Sequence, residues 1–214
     1  MRVYVYAVTG APAAPFEVAG RRIECVAVGG VYAALTATDT MPPLIEASLR
    51  EQHDVVGALA ERIDAVLPAR FGSLVEQAEL ERVVDVRRAA IDEALALVTG
   101  CEQMTVRVFG EPEAAPAVAV VPSSGTAYLQ QRAAETALPA SVRPIAEAVR
   151  PLVRAERIVR GERGVLATLY HLVPRGTSTP YQDALETLRA DFPGPGFIVS
   201  GPWPPFAFAP ELWA

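Results

Sequence analysis

The residues of this chain best suited to catalysis or metal binding are few and badly spaced for either. There are two histidines, His53 and His171, two cysteines, Cys25 and Cys101, and no lysine. A structural or catalytic metal needs histidine, cysteine or carboxylate ligands at short helical or hairpin spacings, and neither cysteine has a cysteine or histidine near it in sequence. The acids around His53, namely Glu46, Glu51 and Asp54, read as ordinary helix-surface carboxylates. Without lysine a Gly-Lys-Ser/Thr phosphate loop cannot be completed, and no Gly-x-Gly-x-x-Gly run occurs. Ser123-Ser124-Gly125 is a helix start with room for an anion, but any N-cap has that property. No catalytic residue, metal ligand or cofactor site is therefore expected, and the chain does not read as an enzyme. The chemistry that remains is apolar and aromatic. Trp203, Phe206 and Phe208 sit among Pro202, Pro204, Pro205 and Pro210, with no charge until Glu211. Exposing that much aromatic surface near a chain end is costly, so the tail is expected to pack on its own fold, to serve a partner, or both. Arg70 and Phe71, in Leu67-Pro-Ala-Arg-Phe-Gly72, are a second pair of contact candidates.

Composition narrows the field of partners. The net charge of −6 argues against a nucleic acid or an anionic membrane as the partner, since both require a basic face. All 19 basic residues are arginine, which reads as codon bias. No run reaches the ~18 apolar residues of a membrane span. Met1 to Val8 alternates with period two and is too short for a signal-peptide core, so it is expected to be a first strand of an intracellular protein with free thiols.

Positioning of these residues follows from the element pattern. Val3 to Val8 is a strand, Arg22 to Val28 and Val31 to Ala37 are two more, and Gly29-Gly30 is a two-residue hairpin turn between them. After Pro42-Pro43, the positions Ile45, Leu49, Val56, Leu59, Ile63 and Val66 form one buried helical stripe that includes His53. Leu67 to Val75 is a short extended segment, with Arg70 and Phe71 on opposite faces. A helix from about Glu76 to Thr99 carries Leu80, Val83, Val84, Ile91, Leu95 and Val98 inward and a mixed-charge face outward. Gly100 ends it, and a domain boundary near residue 100 fits.

The second half begins with a strand at Met104 to Phe109, a Pro/Ala-rich connection and a helix from Ser124. A second helical piece starts near Ser141, with Pro144 in its first turn. Arg154 to Arg160 and Val165 to Val173 are strands, Thr177 to Ala190 is a helix, and Phe197 to Val199 is a last strand that Ser200-Gly201-Pro202 ends. The predicted class is α+β in two domains: 1–100, an N-terminal α+β domain, and 101–214, a modified ferredoxin-like βαββαβ domain with a Pro/aromatic tail over 200–214. The tail is placed to cover the open face or edge of that second sheet.

The ferredoxin-like order is shared with RNA-recognition domains, but those stack bases on aromatics in an Arg/Lys-Gly-aromatic-x-aromatic motif. Here Arg163-Gly164 is followed by Val165-Leu166-Ala167, so the stacking platform is missing. The whole pattern instead resembles the gas vesicle protein GvpF/GvpL family. The resemblance is carried in order by Tyr4-Val-Tyr6, His53-Asp-Val-Val56, Leu67-Pro-Ala-Arg-Phe-Gly72, Glu102-Gln-Met-Thr-Val-Arg-Val108 and Ser200-Gly-Pro-Trp-Pro-Pro205 followed by Phe206-Ala-Phe208. Gly125-Thr-Ala-Tyr-Leu129 and Leu169-Tyr-His-Leu-Val173 also look like family segments. The resemblance implies an accessory role in assembling gas vesicles in the cytoplasm. It further implies contact with the small hydrophobic shell protein and with other accessory proteins, and no catalysis. Two readings of other kinds stay open at this point. One is a small-molecule-binding protein or enzyme using the interdomain cleft, with His53 or Arg70 as polar anchor. The other is a regulatory dimer formed through the ferredoxin-like sheets.

Overall fold

Strand β1 (Arg2–Thr9) is an interior strand of the first sheet, and all but its first residue are buried. Its Tyr-Val-Tyr-Ala-Val run is covered from both sides. Tyr4, Tyr6 and Ala7 join a core with Val55, Val56, Leu59 and Ile63, while Val3 lines a groove with Val28, Leu35 and Leu80. A strand buried on both faces reads as a continuous apolar run rather than an alternating one. The computed structural model describes residues 1–110, 141–162 and 164–212. The expected helix from Ser124, the Glu111–Pro122 connection and the Gly125 segment lie outside the described residues.

The first sheet has the order β2-β3-β4-β1-β5, with β6 also pairing with β1. Its remaining strands are β2 (Phe16–Val18), β3 (Arg21–Val28), β4 (Val31–Ala37), β5 (Val66–Pro68) and β6 (Leu74–Glu76). β1 pairs antiparallel with β4, with a register shift between Val5 and Ala7. The β3–β4 turn is the predicted Gly29-Gly30 pair, at φ +53° and +83°. These are left-handed values that only glycine adopts freely in such a hairpin. Space demands glycine at Gly29 as well, where a Cβ would lie 2.8 Å from Val84 Cγ1, whereas at Gly30 a Cβ would meet only the movable end of Arg88.

Three helices complete this part: α1 (Glu46–Ala60), α2 (Gln77–Val86) and α3 (Arg88–Val98). Two expectations need correction. The predicted helix over Glu76–Thr99 is broken at Arg87. Its inward stripe runs Leu80, Val83 and Val84, then resumes at Ile91, and the intervening inward turn is occupied by Arg87 and Arg88, which cannot be buried there. The second correction concerns α1, whose buried residues are Gln52, Val55, Val56 and Leu59. Ile45 and Leu49, expected on the buried stripe, are exposed, and Val66 is buried as part of β5. The helix meets the sheet from Glu51 onward, through the buried Gln52, Val55, Val56 and Leu59.

The second sheet has the order β10-β7-β9-β8, formed by β7 (Cys101–Phe109), β8 (Ala155–Arg160), β9 (Val165–Pro174) and β10 (Phe197–Trp203). Helices α4 (Arg143–Val149) and α5 (Ser178–Asp191) pack on each other. Pro144 stands in the first turn of α4, as its fixed φ and missing N–H favour. β10 does not end at Ser200; it continues through Pro202 to Trp203. As an outer strand it has one side without ladder partners, so proline's missing N–H costs no sheet bond there. Contacts divide the chain into two compact units: Met1–Gln103 with Leu172–Arg175 and Pro202–Ala214, and Met104–His171 with Gly176–Gly201. The fold is mixed α and β throughout.

Candidate protein-interaction surface

The tail residues lie within the first unit, and backbone chemistry sets their shape. Beyond Trp203 the two prolines fix an extended bend, and Phe206–Phe208 form a 3-10 turn. Phe206 N–H donates to the Pro204 carbonyl at 2.7 Å and Phe208 N–H to that of Pro205 at 3.1 Å. The turn packs on β5. Ala207 N–H donates to Oε1 of the buried Gln103 at 2.8 Å. Pro205 and Leu212 are buried. The described contacts of the tail include α1, β5 and Gln103 of β7, all within the first unit.

His53 is the residue of α1 that receives the tail. Its ring meets Trp203 edge-on, with centroids 5.3 Å apart and planes at 72°. Phe206 stacks on it at 6.2 Å and 15°. Such ring pairs contribute about 0.5–1.5 kcal/mol beyond the area they bury. These aromatic neighbours make His53 a packing residue of the half-buried boundary, as a lone histidine on an apolar stripe usually is.

Arg70 and Phe71 sit on the loop between β5 and β6, which is held from beneath by a buried polar network. Tyr4 O–H donates to Gln52 Oε1 at 2.5 Å, Gln52 Nε2 donates to the Ala69 carbonyl at 2.8 Å, and Gly72 N–H donates to the Tyr4 oxygen at 3.1 Å. Burial pushes the Tyr4 hydroxyl above its ordinary range, against the Gly72 hydrogen bond and with the Glu51 charge adding to the rise. Phe71 is half-buried and packs edge-on to Tyr4 at 6.4 Å. Arg70 projects to solvent and reaches Glu211 of the tail at 3.5 Å, both side chains being about three-quarters exposed. An exposed pair of that length contributes ~0–1 kcal/mol at most.

The structure therefore brings Trp203 and Phe206 together through His53, and ties Arg70 to the same tail through Glu211. Phe71 is held apart from these by its packing against Tyr4, and half-buried Phe208 belongs to the turn on β5. What the sequence pattern hid is the continuation of the surface along α1. Leu49 and His53 are four residues apart and share one face of α1, and Ile45 stands at the N-cap one turn before Leu49. Leu44, Ile45 and Leu49 are 76%, 53% and 45% exposed, and Trp203 and Phe206 are 37% and 38% exposed. The charges beside this stripe neutralise each other, Glu46 with Arg50 at 2.6 Å and Arg70 with Glu211. A small cavity of about 120 Å³ on the far side of α1, lined by Tyr6, Arg21, Thr38, Pro43 and Glu51 among others, reaches neither His53 nor Arg70.

A sequence profile described as gas vesicle synthesis protein GvpL/GvpF matches residues 2–210, nearly the whole chain. The chain belongs to the GvpL/GvpF family. No curated protein matches it in sequence. Among solved structures, the gas vesicle protein GvpF from Microcystis aeruginosa aligns over 98% of this chain and 99% of its own, at 14% identity and a TM-score of 0.70. GvpF from Anabaena sp. PCC7120 aligns over 98% and 96%, at 14% identity and a TM-score of 0.71. At that identity the likeness establishes a shared fold, and membership of the family makes this a gas vesicle accessory protein. No helix among the described residues is long and apolar enough to cross a membrane.

Proposed function

We propose that this GvpL/GvpF protein binds the hydrophobic shell protein, and with it other accessory proteins, while vesicles are being assembled in the cytoplasm, and that it does so by apolar contact without a reactive centre. The observation that carries the reading is the exposed line Leu44, Ile45, Leu49, Trp203 and Phe206. Apolar patches of this kind on soluble proteins mark sites of contact. Phe208, Arg70 and Phe71 support that line from the turn on β5 and the loop beside it. Two domains, over 1–100 and 101–214, belong to the same proposal, with a modified ferredoxin-like arrangement in the second. The sheet order β10-β7-β9-β8 supports this, being fourth-first-third-second, the order of a βαββαβ fold.

The test is capture of purified shell protein by the full chain, by a chain ending at Gly201, and by Leu49→Glu and Phe206→Glu variants. Each change is expected to weaken capture at least ~10-fold, the loss expected when an interface anchor worth more than about 1.4 kcal/mol is removed. Undiminished capture by folded point variants refutes the surface. The point variants carry the test if the shortened chain, which lacks the buried Pro205 and Leu212, fails to fold.

A further inference from the structure

The outer side of β3 carries a feature that the stripe along α1 does not include. β2 covers only the first part of that strand, pairing Phe16 with Ile23, Glu17 with Arg22 and Val18 with Arg21. Beyond Ile23, β3 has a strand on one side alone, β4. The register shows which backbone groups are left over. Val28 pairs with Val31 across the two-residue turn Gly29-Gly30, and the residues flanking such a turn exchange both of their ladder bonds. Bonded and non-bonded pairs then alternate, so Val28, Val26 and Glu24 bond to β4, while Ala27, Cys25 and Ile23 point away from it. The other hairpin gives the same answer. Val18 and Arg21 flank the left-handed pair Ala19-Gly20, so Arg21 and Ile23 bond to β2. That leaves the N–H and C=O groups of Cys25 and Ala27 at an open edge. Among the described residues no hydrogen bond outside the ladders reaches either one.

The side chains on this edge do not guard it. Open edges are normally blunted by charge, proline or a bulge. Here Val26 is 37% exposed, Ala27 is exposed and Cys25 is half-buried. The nearest charge, Glu24, pairs along its own strand with Arg22 at 3.2 Å. On the α2 side of the sheet, Val26 lines an apolar groove of about 110 Å³ with Val28, Leu35 and Leu80. The open stretch also has fixed ends, with β2 holding the edge up to Ile23 and the chain turning away at Gly29. A strand that pairs here must be short and must itself turn aside. β3 of a second copy meets both conditions, because it carries the same two limits in reverse order.

We propose that two copies of this chain pair their β3 strands antiparallel over residues 25–27, about a two-fold axis at Val26, joining their first sheets edge to edge. In this register Cys25 lies opposite Ala27 of the second copy, and Ala27 opposite its Cys25. Each pair exchanges both of its bonds, so every outward group is satisfied. Val26 meets its own counterpart in the closer, non-bonded position, where β-branched side chains pair well. Glu24 falls opposite Val28, so no like charges face one another. An axis at Cys25 or at Ala27 would bond one pair only, since the next falls on β2 or on the turn. The contact is isologous and small, so the dimer is weak and depends on concentration.

Sedimentation equilibrium of the full chain from about 1 µM to about 1 mM tests this, the range over which a small interface dissociates. A monomer–dimer equilibrium is expected. Val26→Glu and Val26→Lys each remove the valine pair and set like charges together at the axis. Each should raise the dissociation constant about 5-fold to 30-fold. Mixing the two variants sets opposite charges together there, and a mixed dimer should form about as tightly as the unmodified one. Ala27→Pro removes an outward N–H and spares the β3–β4 ladder bonds, so it should weaken the dimer as well and carries the test if a charged variant does not fold. A chain that stays monomeric over the whole range overturns the proposal. So does a dimer indifferent to the folded variants, which would lie on another surface, or one that the mixture fails to restore.

Discussion

Tyr6 illustrates what single residues contribute in this protein. Its ring is 2% exposed in the core beneath α1, and burial, followed by the Glu51 charge, pushes its hydroxyl up to about 12. A phenol whose folded value exceeds its unfolded one stabilises the fold fully below the unfolded value, near 10, and loses that contribution as pH rises towards the folded value. Chemical denaturation between about pH 9 and about pH 12 should therefore show a loss of stability of which about 2–3 kcal/mol belongs to Tyr6. Tyr6→Phe should remove that share of the slope. At neutral pH it should cost under ~1 kcal/mol, because the contact to Glu51 is 3.5 Å long. An unchanged alkaline slope in the variant would contradict the account. At this scale the sequence is legible where a residue type has one use, as with Gly29-Gly30 or the tail rings. It is not legible where a polar residue is buried for support. Nothing in the spacing of Gln52 or Gln103 distinguishes them from surface glutamines, yet one holds the Arg70-Phe71 loop through Ala69 and the other holds the tail through Ala207.

Elements were readable to the extent that one periodicity covered one environment. β1, β3, β4, β9 and α5 satisfy this, and their observed bounds lie within two residues of those the pattern predicts. α1 does not: an apolar period continues along its whole length, but only from Gln52 onward does it face the core. Periodicity alone cannot separate a core stripe from a stripe kept for a partner. The α2–α3 break at Arg87 was not legible, because the arginine pair at 87–88 passes for part of one solvated helix face, and the junction it forms packs against the β3–β4 turn. Gly29→Ala tests the dependence. It puts a methyl group 2.8 Å from Val84 at φ +53°, so it should lower stability by about 1–3 kcal/mol, measured by denaturant melts. Gly176→Ala offers a control: it has a comparable φ of +80° but open space around the new methyl. It should cost only the backbone strain, about 1 kcal/mol. Equal losses in the two would mean that the helix junction does not bear on the turn.

For the whole molecule, the balance between charge and apolar surface decides how it meets other proteins. Its net charge is −6, but several of its ion pairs are local and exposed, such as Arg82 with Glu79 and Arg88 with Asp92 one helical turn away. Exposed pairs of this type contribute little and are screened by salt. The stripe along α1 and the tail is apolar, with its flanking charges already paired, so salt has little there to screen. Between ~0.1 M and ~1 M sodium chloride, capture of the shell protein should change less than about threefold, and ammonium sulfate should strengthen it, as excluded salts do for apolar burial. An interface built instead on the arginines should lose affinity by tenfold or more over the same range. Such a loss would move the contact away from Leu49, Trp203 and Phe206. Family membership could be read from short blocks spread over the chain, some of which fix a ring contact or a turn, as His53 and residues 204–208 do. The exposed face of α1 had no such mark, since exposure depends on how the elements pack.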